Sequence, residues 1–373
     1  MIASQLTRHQ TNLLKGIGML MIMIHNFYHL LSPSPGQNEF DFSIANFQKY
    51  VHLSQLIPLD FLRYGFSYFG HYGVQIFIFI SSYGLYLSYR KKEIHLFPFL
   101  KQRLIKLYPM LVIAVILLLI VSSAYSGFPD GEKLRSILLK LTLLFNFIPG
   151  EALTVSGPWW FFSLIFQLYL AFPFLLNLIK RYGRNSMLIT AAVFILITIP
   201  LNPVLVRNDL SLYYTFIGQM PVFCLGIYFA DRGNFKMNAG IIILSILVFV
   251  FANVNQVIWN FGFIAFTLIL LAFFFAARPY LRRFKRLNNF VAYTGKISLS
   301  LFAIHGMMRL PFLKIAEKYE HPFFTLVICL IFLAAAYVMA WFVRIAESRV
   351  QRLISKKADT GESYRKPEVI EVR

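Results

Sequence analysis

Ten stretches between residues 12 and 343 stay apolar over roughly the length needed to cross a hydrocarbon layer of about 30 Å. Charges, prolines or polar clusters separate them, and they fall at 12–31, 66–89, 107–126, 158–179, 187–201, 211–230, 239–253, 257–277, 290–308 and 322–343. A soluble fold would have to bury all of them in one core, whereas a bilayer takes them one at a time. Composition agrees, with 58% hydrophobic and 14% charged residues against about 25% charged in an average soluble domain. The expected fold class is therefore all-α, a polytopic transmembrane helix bundle of about ten spans.

The net charge of +20 does not imply nucleic acid, because the basic residues sit in short clusters between apolar runs rather than on one soluble face. One cluster holds Arg90, Lys91, Lys92, Lys101, Arg103 and Lys106, and another holds Arg278, Arg282, Arg283, Lys285 and Arg286. A cytoplasmic N-terminus puts both clusters, and the tail from Arg344 onward, on the cytoplasmic side, as the positive-inside rule requires. Such a face suits anionic lipid headgroups and polyphosphate ligands. Arg8 and Lys15 precede the first apolar run as in a signal peptide, but no small-residue cleavage site follows, so the run reads as a retained span.

Two segments do not read as spans. Residues 32–62 are polar and loop-like, with Pro33, Pro35 and Gly36, and residues 134–149 form a short apolar helix interrupted by Lys140; both are expected on the outer side. The expected domain is 1–345, followed by a charged, disordered cytoplasmic tail over 346–373. Cys224 and Cys329 lie inside apolar runs without metal-ligand or disulfide spacing, so no metal is expected.

A histidine inside a span is costly to bury and is a functional candidate by default. His25 lies ten residues beyond Lys15, about 15 Å along a helix axis at 1.5 Å per residue. The pair suits a cation at the cytoplasmic mouth that holds a phosphate and an imidazole deeper in the bundle that acts as a base. It equally suits a snorkelling lysine and a helix-end histidine beside Asn26 and His29. Arg103 and Lys106 stand one turn apart and can face one ligand, the guanidinium and the ammonium together neutralising clustered phosphate oxygens. An ordinary positive-inside loop gives the same pattern.

Several separated motifs, in order, resemble the membrane acyltransferase-3 family. Leu14-Lys15-Gly16-Ile17-Gly18, running on to His25-Asn26-Phe27, is similar to the family's first helix, which carries Arg, ten residues and the essential His; here a Lys stands for the Arg and nine residues intervene. Gly73 to Gly84 resembles the second signature, an aromatic-rich run ending in Ser-Gly-Phe, with Ser82 where Gly is usual and Gly84 as the expected point of close approach. Phe99 to Pro109 resembles the basic motif that ends in Tyr-Pro. Trp159-Trp160-Phe161-Phe162-Ser163, with Gln167, Tyr169 and Pro173 beyond, resembles the Trp-Phe-Leu helix, although an interfacial aromatic belt explains the tryptophans as well. Ser298 to His305 resembles the penultimate helix, where His305 either contacts the acceptor or bonds a neighbouring helix.

The resemblance implies an O-acyltransferase of the bacterial plasma (inner) membrane that passes an acyl group, most readily acetyl, from acyl-CoA to a carbohydrate hydroxyl of a cell-surface or exported polysaccharide. It implies His25 as general base, Lys15, Arg103, Lys106 and Ser81 at the acyl-CoA site, and His305, Trp160 and Asn26 toward the acceptor. Acyl-CoA would be a co-substrate, with no permanently bound cofactor, and the partners would be acyl-CoA, the carbohydrate and membrane lipid. Asn26, Ser81 and backbone N–H groups near Gly84 are candidate oxyanion donors, and Asp60, Glu151 and Asp209 are outer carboxylates open to sugar hydroxyls. A glycan or lipid transporter would share the ten helices, but it commonly carries two matching halves, and no internal repeat is evident here.

Overall fold

The computed structural model describes residues 5–57, 60–319 and 321–359, and no strand occurs among them. Fourteen α-helices are present among the described residues: α1 (Arg8–Tyr28), α2 (Ile44–Leu56), α3 (Phe61–Phe69), α4 (Gly73–Tyr89), α5 (Leu96–Ser126), α6 (Gly131–Leu141), α7 (Trp160–Tyr182), α8 (Asn185–Val206), α9 (Phe216–Arg232), α10 (Ala239–Phe251), α11 (Gln256–Arg283), α12 (Lys285–Lys296), α13 (Ser298–Lys318) and α14 (Pro322–Asp359).

Six of these helices, α5, α7, α8, α11, α13 and α14, are long and apolar enough to cross a membrane. The other four expected spans correspond to α1, to α3 with α4, to α9 and to α10, which are shorter or more polar. At 13 residues, α10 reaches only about 20 Å, while α1 carries Arg8, Lys15 and His25. For α1, α4 and α9 the reason is position, since most of their surface meets other helices rather than lipid. By contrast α8 exposes Leu188, Ile189, Val193 and Leu196, a surface that water would reject.

α1 starts cleanly because Thr7 and Gln10 form a reciprocal capping box. It lies so close along α12 that a Cβ on Gly16 would strike the carbonyl of Val291. The expected span 290–308 is divided between the amphipathic α12 and the apolar α13, with the break at Ile297. The basic motif at 99–109 is not a loop: α5 begins at Leu96, tolerates Pro98 in its first turn, and carries Arg103 and Lys106 on a helical extension of the span. The expected outer loop 32–62 contains α2 and the approach to α3. α14 continues to Asp359, so the first part of the tail expected to be disordered is helical, and residues 360–373 lie outside the described residues. Gly84 faces open space; the close approach in that region belongs to Gly226 of α9, where a Cβ would overlap the Ser82 hydroxyl.

The basic clusters collect at one end of the bundle. There Leu6 donates to the Tyr83 hydroxyl (2.9 Å), His9 meets Asn288 (3.0 Å) and Lys180 donates to the Lys92 carbonyl (2.9 Å). At the other end Trp259 donates to the Asn38 carbonyl (2.9 Å) and Gly150 to that of Asp209 (3.0 Å).

Candidate active site

Four cavities follow one another between these two ends. The first, about 520 Å³, lies between α1 and the α12–α13 break and is lined by Arg8, Thr11, Asn12, Lys15 and Lys296. Through Lys15, Ser298 and Leu299 it adjoins a second of about 200 Å³, lined by Lys15, Ser81, Arg103, Lys106, Tyr169 and a wall of Phe77, Phe161 and Phe302. Phe302 also borders a third, of about 210 Å³, which holds His25, Asn26, His29, Gln37, Glu39, His71, Trp160 and Arg309. Phe40 and Leu153 join that one to a fourth of about 250 Å³, where Asp41, Asp209, Ser211 and Tyr214 stand.

The third cavity gives His25 one defined tautomer. Its Nδ1 lies 3.1 Å from the Phe66 carbonyl oxygen, which can only accept, so Nδ1 carries the hydrogen and Nε2 keeps a free lone pair. Phe66 belongs to the last turns of α3, so the end of that helix sets the orientation of the His25 ring. Gly70 allows this approach, because a Cβ there would sit 2.6 Å from the His25 Cβ. The same close turn sets the His71 ring edge-on to His25 with centroids 5.6 Å apart, while His29 stacks on the other side at 4.6 Å.

Arg309 of α13 is the cation of this cavity. Its Nη1 donates to the Asn26 carbonyl (3.0 Å) and side-chain oxygen (2.8 Å), its Nε is buried without a partner, and no carboxylate pairs with it among the described residues. Glu39, in the segment joining α1 to α2, is buried in the same wall, and burial holds its carboxyl well above the usual range. Among the described residues neither His71 ring nitrogen nor the Gln37 Oε1 has a hydrogen-bond partner. The cavity thus contains a lone-pair base, a cation and polar groups with hydrogen-bonding capacity to spare.

The structure brings Lys15, Arg103, Lys106 and Ser81 together in the second cavity, and His25, Asn26 and Trp160 in the third. Arg103 is held over the rings of Tyr89, Phe99 and Tyr169, at 5.2, 5.1 and 5.7 Å, with no carboxylate partner among the described residues. His305 lines neither cavity. It is buried behind Phe302, its Nδ1 near the Leu301 and Phe302 carbonyls (3.0 and 3.1 Å) and its Nε2 without a partner.

Two of the outer carboxylates have structural partners. Asp60 pairs with Arg63 (3.3 Å), whose other amine donates to the carbonyls of Leu31, Ser32 and Pro33. Glu151 accepts from Ser136 and Thr154, and its carbonyl from Lys140. Asp209 alone of the three reaches a cavity of the row.

Sequence reasoning missed Arg309, Glu39, Gln37 and His71. Arg309 was detectable as a charge four residues beyond His305 on one apolar helix, just past the expected end of that span. Glu39 and Gln37 carried no signal, because the segment they occupy reads as a polar loop.

The sequence matches the protein family described as an acyltransferase domain over residues 8–343. No curated protein and no solved structure matches the chain.

Proposed function

The chain belongs to the membrane acyltransferase-3 family, and from that premise we propose that it transfers an acyl group, most readily acetyl, from cytoplasmic acyl-CoA to a hydroxyl of a cell-surface or exported polysaccharide at the bacterial inner membrane. The observation that carries this reading is the row of cavities. It leads from a cationic mouth, past an aromatic wall, to a histidine with a fixed free lone pair, and on to a chamber with two carboxylates and a tyrosine.

CoA's phosphates suit the first two cavities. Arg8 and Lys296 stand on one side of Lys15, and Arg103 and Lys106 on the other, so the 3′-phosphate and the diphosphate each meet cations while the pantetheine arm runs inward. The acceptor enters from the opposite end, where carboxylates and aromatic rings suit sugar hydroxyls and sugar faces.

In the third cavity the acceptor O–H gives its proton to His25 Nε2 as its oxygen attacks the thioester carbonyl carbon. The charge that develops on the former carbonyl oxygen faces the unspent N–H groups of Arg309. Collapse breaks the C–S bond, the thiolate leaves toward the second cavity, and the imidazolium returns the proton to it. The Phe66 carbonyl keeps the ring oriented throughout.

The test compares wild type with His25→Ala in membranes that retain the native acceptor, and the same proteins purified for thermal shift with CoA. CoA should stabilise both, while CoA release from acetyl-CoA falls about 10³-fold in the variant. Absence of both stabilisation and release in wild type overturns the proposal.

A further inference from the structure

Among the described residues only Phe302 lines both the cationic second cavity and the histidine-bearing third, so its ring is the partition across which donor and base must meet. It does not stand alone. Phe77 of α4, Phe161 of α7 and Phe302 of α13 contact one another pairwise, with centroid separations of 6.2 Å (Phe77–Phe161), 6.4 Å (Phe77–Phe302) and 4.9 Å (Phe161–Phe302). Three rings from three helices therefore close a collar at the inner end of the second cavity, and all three belong to its wall.

On the basic side of the collar Lys15, Arg103 and Lys106 stand among apolar neighbours such as Leu107 and Ile165. On the other side His25, Asn26 and Arg309 stand among Ile22, Val74 and Pro158. The collar itself carries no polar group, and three aromatic faces between the cations and the histidine are what an acyl chain, rather than a phosphate or a sugar, would choose for contact. Phe302 is backed by the buried His305 ring, edge-on at 5.6 Å, and by Phe162 at 6.4 Å, which leaves little room for it to swing away.

We propose that the Phe77–Phe161–Phe302 collar is the acyl-size filter of this protein: it grips the acyl end of the donor, admits short chains to His25 and stops longer ones. This inference rests on the acyl-transfer reading. A small acyl group lies against the ring faces and leaves the thioester carbon at the inner edge of the collar, where the His25-bound acceptor meets it. Each additional methylene must displace a packed ring, and one methylene of misfit in an apolar pocket is worth about 10- to 200-fold in discrimination. The closed collar also keeps water of the cationic mouth away from the thioester as it meets the base. Phe302 is thus a specificity-determining residue, placed one turn before His305 on α13.

The experiment measures CoA release from acetyl-, butyryl- and octanoyl-CoA by membranes carrying wild type, Phe302→Ala or Phe302→Leu, each corrected for the His25→Ala background. Wild type should favour acetyl-CoA. The octanoyl-to-acetyl rate ratio should rise about tenfold or more in Phe302→Ala and by less in Phe302→Leu, because leucine leaves a smaller gap. A ring with a purely packing role would lower all three rates alike, so a ratio within twofold of wild type in an active variant overturns the filter and leaves the acyltransferase reading standing. If Phe302→Ala fails to accumulate, the leucine variant decides by the same ratio. If wild type releases CoA from none of the donors, the acyltransferase reading falls and the filter with it.

Discussion

The two ends of the row of cavities are built on opposite plans. At the cationic end Arg103 and Lys106 sit one turn apart on a single helix, with Lys15, Arg8 and Lys296 across from them, and the chamber opens toward the basic face. At the histidine end the lining comes from residues 22 to 309, more than half of them buried, and several of their polar atoms have no partner among the described residues. A buried polar atom without a partner costs about 1 to 3 kcal/mol, so a fold that keeps such atoms together is holding them for something that binds. On the proposed reading the cationic end works by charge, which tolerates exchange and displacement. The histidine end works by fixed geometry, which does not.

The sharpest way to break that contrast is Arg309→Met. If the guanidinium serves the developing oxyanion, CoA release from acetyl-CoA should fall by about 10² to 10³ while the thermal shift with CoA stays as in wild type. A matching loss of CoA binding would mean that both ends handle the donor, and the division drawn here would collapse. Arg309→Lys sharpens the point: it keeps the charge but has three donors in place of five, so with both Asn26 oxygens held only one is left, and it should recover only part of the rate.

Arg103→Met probes the other plan and should give the mirror image. Affinity for CoA should fall about tenfold, roughly 1.4 kcal/mol, with the rate at saturating donor little changed. Because the guanidinium is packed over Tyr89, Phe99 and Tyr169 rather than tied to a carboxylate, its removal leaves no buried counter-charge stranded. The wild-type CoA affinity should weaken with added salt, and the variant's should weaken less. An unchanged affinity in Arg103→Met would move the phosphates to the Arg8–Lys296 chamber.

The same contrast explains what the sequence could reveal. Basic residues between apolar runs mark candidate anion-binding positions, so Lys15, Arg103 and Lys106, which the fold brings to one cavity, could be named as candidates from the sequence, as could an intramembrane His25. The histidine end was not, since its members are adjacent only after folding: His71 precedes a glycine-led helix, Gln37 and Glu39 lie in a polar segment, and Arg309 lies past the expected end of its span. The helix boundaries erred for physical reasons too. Hydropathy cannot see that α5 continues through its basic turns, because a helix needs only backbone partners there. Nor does it register the break at Ile297, which arises where an amphipathic helix gives way to an apolar one. The two roles open for His305 could not be separated in sequence, because an intramembrane imidazole looks the same there whether it lines a cavity or backs a phenylalanine.

The smallest effect should come from Glu39→Gln, and its direction is the useful part. At acidic pH, around the ordinary carboxylate range, folded and unfolded chains both hold the Glu39 proton. Above that range the unfolded chain releases it while the buried site keeps it, so Glu39 makes stability fall as pH rises. Glutamine cannot ionise in either state. The melting temperature of Glu39→Gln in detergent should therefore match wild type near pH 4.5, rise above it toward pH 7, and show less pH dependence between them. Acyl transfer at neutral pH should change by no more than a few-fold, since burial favours the uncharged carboxyl and the amide keeps its size and lack of charge. A large loss of activity would instead mark Glu39 as an ionised group during the reaction and give the histidine end a second base, whereas a wild-type pH profile would place the carboxyl in contact with water.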